Sequence, residues 1–138
     1  MGLSRFFKRL PREKDSMLDK RKYPRVRDDL GIAVNLVDQV NGTTQRAGRI
    51  LHMTENISRG GLQFNHDREM PVDATVRIHV ALKFPLRTIT HLGRVRWTRP
   101  NGLGARCLVG VEFTETPPVD MLHWSHYIEH RLRDASAA

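Results

Sequence analysis

The chain has one cysteine, few aromatic residues (7%) and no apolar run approaching the length of a membrane span. Each scarcity removes a class of function. A lone Cys107 excludes an internal disulfide and a cysteine-rich metal cluster, and it fits a reducing compartment, so a cytoplasmic location is expected. A bilayer-spanning helix needs roughly 18 or more apolar residues in succession, and the first residues also lack a continuous apolar core before a small-residue cleavage site. Without a secretory signal, the sequons Asn56-Ile57-Ser58 and Asn41-Gly42-Thr43 carry no weight. Catalytic signatures are absent as well. The sequence contains no Gly-x-Ser-x-Gly, no His-Glu-x-x-His and no Gly-x-x-x-x-Gly-Lys, and neither Cys107 nor Ser58 has an evident base beside it. A binding protein is expected rather than an enzyme. At 138 residues there is room for one domain that buries about two thirds of its unfolded surface.

Acidic residues are short in one place only. The net charge is +8, and residues 1–27 hold ten Lys or Arg against Glu13, Asp15 and Asp19; the rest of the chain carries thirteen basic and twelve acidic residues. A basic arm on a nearly neutral body calls for an anionic partner at the arm: a nucleotide, a nucleic acid or an acidic membrane surface.

Hydrophobic periodicity divides the chain into an arm (1–19), a β-rich body (20–115) and a terminal helix with its tail (116–138). Ile32, Val34 and Leu36 alternate with Ala33 and Asn35 before a turn at Gln39–Gly42, and a second strand is expected from about Arg46 to Thr54. Gly60-Gly61 opens a third strand with Leu62 and Phe64 on one side. Between Thr75 and Lys83, Val76, Ile78, Val80 and Leu82 alternate with polar or small residues, and Phe84-Pro85 ends that strand. Arg87–Arg99 forms a long strand, Pro100-Asn101-Gly102 turns, and Val109, Val111 and Phe113 return toward the core. Six short strands with turn signals imply a closed or nearly closed antiparallel barrel.

Thr116-Pro117-Pro118 announces a helix, with Met121, Trp124, Ile128 and Leu132 on the packed face. His123, His126 and His130 lie opposite at i, i+3 and i+7. A metal site would need further ligands, and a solvated histidine face is the preferred reading, so no metal is assigned. In the arm, Leu3, Phe6, Phe7 and Leu10 oppose Arg5, Lys8 and Arg9, a short basic amphipathic helix that could rest on an anionic membrane, a partner or the barrel itself.

Two polar clusters remain. Arg21-Lys22-Tyr23-Pro24-Arg25 presents two guanidinium forks four positions apart, and Asn56-Ile57-Ser58-Arg59-Gly60-Gly61 offers an amide, a hydroxyl and a pliable backbone. Arg makes bidentate hydrogen bonds both to phosphate and to the O6/N7 edge of guanine, and glycine lets a ligand approach the main chain. In this order and spacing, Arg-x-x-x-Arg followed by Asn-x-Ser-x-x-Gly resembles the PilZ domain family, which binds the bacterial messenger cyclic di-GMP. Gly93-Arg94-Val95-Arg96-Trp97 and Gly110-Val111-Glu112-Phe113 resemble the family's last two barrel strands, so the likeness runs from about Lys20 to Glu115.

The resemblance implies a six-stranded antiparallel barrel with a C-terminal helix and a flexible basic N-terminal arm. It further implies that Arg21 and Arg25 hold guanine edges and phosphates, that Asn56 and Ser58 touch the other side of the nucleotide, and that Gly60 and Gly61 keep the surface open. Lys20 would bear on how many messengers bind, and Trp97 lies either beside a guanine or in the core. The expected function is a cyclic di-GMP receptor or adaptor that needs no cofactor, orders its arm on the ligand and signals to an effector protein. The alternative is a barrel with a basic arm for nucleic acid, stacking bases on Trp97, Tyr23 and Phe64; the balanced charge of the body counts against it.

Overall fold

The structure is a computed structural model, and it describes residues 23–37, 50–67, 69–100, 102 and 106–137. Lys20, Arg21, the amphipathic segment Leu3–Leu10 and the turn expected at Gln39–Gly42 lie outside the described residues. Seven strands and one helix follow in order: β1 Arg25–Arg27, β2 Gly31–Val37, β3 Ile50–Ser58, β4 Gly61–His66, β5 Thr75–Lys83, β6 Leu86–Pro100, β7 Cys107–Glu115 and α1 Pro118–Ala137.

Alternating apolar residues produce the closed sheet. In β5, Val76, Ile78, Val80 and Leu82 are buried while Arg77 and His79 are half-buried and Ala81 and Lys83 exposed, the period-2 pattern of a strand with one wet face. All neighbouring strands are antiparallel, and β3–β4 pairing closes the circuit β3-β2-β5-β6-β7-β4. Two-residue connections join β3 to β4 through Arg59-Gly60, and β5 to β6 through Phe84-Pro85. The six-stranded barrel with a C-terminal helix expected from the sequence is therefore the fold. Its interior holds Ile32, Val34, Ile57, Leu62, Phe64, Ile78, Ile89, Val95, Val109 and Val111.

Closure has one interruption. β1 and β2 lie successively along the same edge of β3, pairing Arg25–Arg27 with Ser58–Asn56 and Gly31–Val34 with Met53–Ile50. Between them Asp28-Asp29-Leu30 leaves the ladder, and Thr54 from β3 supplies the missing partners. Its hydroxyl donates to the Asp28 carbonyl (2.6 Å) and accepts from the Leu30 N–H (2.8 Å). Buried backbone groups are thus satisfied where the strand breaks. The described part of β3 runs to Ser58, four residues past the end expected at Thr54, because β1 and β4 both pair with its last turn of residues.

Pro118 opens α1, as its fixed φ permits, and the helix packs on β1 and β6. Trp124, Tyr127 and Ile128 are buried, so the packed face includes Tyr127 in addition to the residues expected from spacing. Thr116, expected to cap the helix, engages His91 Nδ1 with its hydroxyl instead (2.7 Å). Asp120 in the first helical turn accepts from the Thr90 N–H (2.9 Å), which fastens the positive end of the helix to β6.

Candidate functional site

Strand pairing places the polar motif residues on the outer face of the barrel in two adjacent rows. Arg25 pairs with Ser58, Ser58 with Gly61 and Gly61 with Glu112. In the next row Arg27 pairs with Asn56, Asn56 with Gln63, Gln63 with Gly110 and Gly110 with Trp97. Residues paired across an antiparallel sheet share a face, so positions distant in sequence meet without any loop rearrangement.

Two glycines hollow out the middle of these rows. A Cβ at Gly61 would strike the Val111 carbonyl oxygen, and one at Gly110 would strike the Trp97 indole, with Nε1 at 2.7 Å. Gly60 is constrained in the same way by the Tyr23 ring, 2.7 Å from where its Cβ would stand. The result is a cleft of about 270 Å³ lined by Tyr23, Arg25, Asn56, Ser58, Gly60, Gly61, Gln63, Arg96, Trp97, Gly110 and Glu112. This is just below the range of small-molecule sites, about 300–1,000 Å³.

Of the eight site residues read from the sequence, Arg25, Asn56, Ser58, Gly60, Gly61 and Trp97 share this cleft. Arg21 and Lys20 are outside the described residues. Arg25 sits in β1, paired with Ser58.

Trp97 is resolved by a register shift. Val95 pairs with Val111 and Trp97 with Gly110, so Arg96 is the extra residue of a β-bulge. Strict alternation from buried Val95 would have sent Trp97 inward; the bulge turns it outward over Gly110. The Arg99 guanidinium lies 4.6 Å from the centre of its ring.

The polar groups have defined partners. Asn56 Nδ2 donates to Gln63 Oε1 (3.2 Å), Ser58 Oγ makes a long hydrogen bond to the Gly61 carbonyl (3.4 Å), and Arg96 Nε pairs with Glu112 Oε1 (3.0 Å). From behind, Trp124 Nε1 of α1 donates to the Ser58 carbonyl (3.0 Å). Ser58 is therefore held on one side by its own hairpin and on the other by the helix.

Sequence reading missed Gln63, Arg96, Gly110 and Glu112 as cleft residues. Gly110 and Arg96 were visible only as members of strands, since nothing in a single sequence says which glycine lies across from which tryptophan. Phe64, suggested as a base-stacking residue for nucleic acid, is fully buried in the barrel and cannot serve. On α1, His130 contacts the Phe84 ring and Asp134 (3.5 Å), and among the described residues no three His, Cys, Asp or Glu side chains gather around a common point for a metal. Nor, among the described residues, is any helix long and apolar enough to cross a membrane.

Comparison with known proteins bears on the fold and the family. The PilZ domain family model matches residues 19–130. Among solved structures, the Bacillus subtilis inhibitor of motility (MotI/DgrA) superposes with a TM-score of 0.67 at 17% identity, covering 85% of this chain and 52% of that one. The chain thus spans about half the length of that protein. The PilZ domain of YcgR from Escherichia coli, solved with c-di-GMP, gives 0.61 at 10% identity, covering 85% of this chain and 95% of that one. The PilZ domain of CeSA from a cellulose-synthesizing bacterium gives 0.52 at 13% identity, with 78% and 96% covered. No curated protein matches the sequence. With four fifths of its residues inside the family match, this chain belongs to the PilZ domain family.

Proposed function

We propose that the protein is a cytoplasmic receptor for cyclic di-GMP, which it binds without chemical change in the cleft between β1, β3, β4, β6 and β7. The observation that carries the reading is the convergence of Arg25, Asn56, Ser58, Gly61 and Trp97 on two neighbouring rows around a glycine-floored hollow. Arg25 and Arg96 supply cations at the rim for phosphate, while Asn56 and Trp97 supply an amide and an aromatic surface for a base. The family to which the chain belongs supports a ligand-binding role rather than catalysis.

On this reading Arg21 acts with Arg25. The ligand's two phosphates neutralise the repulsion among Lys20, Arg21, Lys22, Arg25 and Arg27 and draw the basic arm over the cleft. The closed arm then offers an effector protein a surface that the ligand-free form lacks. The ligand's differential affinity for the closed over the open form sets how far the equilibrium moves.

Titration calorimetry with cyclic di-GMP, beside GMP and GTP as controls, tests the proposal. Arg25→Ala is expected to weaken binding by about 1–3 kcal/mol with the barrel intact, because one charge-assisted contact is lost. Arg21→Ala should do the same. Unchanged affinity in the double variant would sink the site assignment, and binding of cyclic di-GMP no tighter than that of GMP would sink the function.

A further inference from the structure

Gln63 is buried to within 4% of its surface, yet its Nε2 has no hydrogen-bond partner among the described residues. Its other amide atom is committed: Oε1 accepts from Asn56 Nδ2 at 3.2 Å. A buried amide N–H without an acceptor loses its hydration with nothing in return, and such a group points to an acceptor supplied from elsewhere. Gln63 lines the cleft, on the outer face of β4, between Asn56 and Gly110.

We infer that Gln63 reads the base: its Nε2–H donates to the acceptor edge of a guanine seated in the cleft, and thereby helps select guanine over adenine. This rests on the cleft being the cyclic di-GMP site.

The partition of the amide decides which base is preferred. A glutamine with both amide atoms free can make a bidentate pair with adenine, accepting from N6 and donating to N7. Here the oxygen already accepts from Asn56, and the unmet capacity of the amide is its N–H donor side. Guanine offers acceptors at both O6 and N7, whereas adenine places a second donor at the position of O6. A lone N–H therefore favours guanine. Position argues for a base rather than a phosphate. Gln63 is a neutral group on the floor of the cleft, and its strand neighbour Gly110 is overlain by the Trp97 indole, a flat partner for a purine. The cations suited to phosphate, Arg25 and Arg96, are exposed at the rim.

Substitution by glutamate separates reading from positioning. In Gln63→Glu one carboxylate oxygen still accepts from Asn56, while the other replaces the donor with an acceptor. The added negative charge repels cyclic di-GMP and cyclic di-AMP alike, so the informative quantity is the ratio of their dissociation constants, measured by calorimetry on the full chain. The preference of the wild type for cyclic di-GMP is expected to fall about tenfold or more in Gln63→Glu, the scale of one lost base contact. Gln63→Met, which removes both amide atoms without adding charge, should lower the preference in the same direction, with circular dichroism confirming the fold. Equal weakening of both dinucleotides, or an unchanged ratio, would overturn the assignment while leaving the receptor reading intact. A wild type that binds neither dinucleotide would instead defeat the receptor reading itself.

Discussion

At Gly110 a hydrogen atom in place of a methyl group decides where Trp97 lies. The indole occupies the space that a Cβ would need. Gly110→Ala leaves the strand pairing possible but forces the ring to move, at about 1–3 kcal/mol if its neighbours resist. The expected outcome is a folded barrel with altered tryptophan fluorescence and a cyclic di-GMP affinity reduced about tenfold, since an aromatic base contact is worth roughly 1–3 kcal/mol. His91 shows how burial changes a titration. It is fully enclosed, stacked on Phe113 with centroids 3.7 Å apart and bonded through Nδ1 to Thr116, and desolvation pushes its pKa down to about 3. Unfolded, the imidazole takes up a proton near its ordinary value of 6.5. Between these limits the unfolded chain binds the extra proton, so this contribution to stability is present at neutral pH and is lost as the pH falls below 6.5. From pH 7 to pH 5 the loss amounts to about 2 kcal/mol for such a group. Urea unfolding of His91→Phe at the two pH values should show a smaller drop than wild type by about that amount.

Among elements, α1 and the first strand are joined through Asp28. Its carboxylate, almost wholly buried, accepts from Tyr127 Oη (2.6 Å) and Arg131 Nε (3.1 Å) of α1 and from Lys83 Nζ (3.2 Å) at the end of β5. Burial and the hydrogen bond to this carboxylate both raise the Tyr127 pKa, so the phenol remains a donor throughout the physiological range. Asp28→Ala would leave a buried hydroxyl and a half-buried guanidinium without their acceptor. Because Arg131 and Lys83 keep access to water, the expected cost is about 2–4 kcal/mol, somewhat below that of breaking a fully buried pair, measured by chemical denaturation. Strands of this kind differ in how plainly a sequence displays them. β5 was legible because four apolar residues alternate over its whole length, and Pro118 and the spacing of Trp124 and Ile128 marked α1. β1 was not, since three residues with a single buried Val26 give no period to detect. The motif residues Asn56, Ser58 and Gly61 were legible by spacing. The outward turn of Trp97 was hidden, because it depends on one unpaired residue at Arg96, and the orientation of the Gln63 amide depends on a neighbour seven positions away that donates to its oxygen.

For the whole molecule, the division between a basic arm and an almost neutral body makes the proposed binding electrostatic in its approach and polar in its selection. Arg25 and Arg96 are exposed, so their attraction for phosphate is screened by salt, whose Debye length shrinks from about 10 Å at 0.1 M to about 3 Å at 1 M. Cyclic di-GMP affinity should decline across that range, and Arg25→Ala should decline less steeply. Ligand at a hundred times its dissociation constant should add about 2.7 kcal/mol to stability if it binds only the folded form, which thermal unfolding can follow. The interruption at Asp28-Asp29-Leu30 gives this coupling a particular form. Because β2 alone completes the circuit with β3, the ring of strands stays shut whether or not the three paired positions of β1 are engaged. Arg25 is thus mounted on a separately releasable fastening, and its peel-off point is the residue clasped by α1. Amide exchange at Arg25 and Arg27 should therefore run through local release of β1, faster than that of β2 in the free protein, and slow on ligand addition, while β2 slows only as far as global stability rises: a barrel that registers its ligand at one short seam and never has to open.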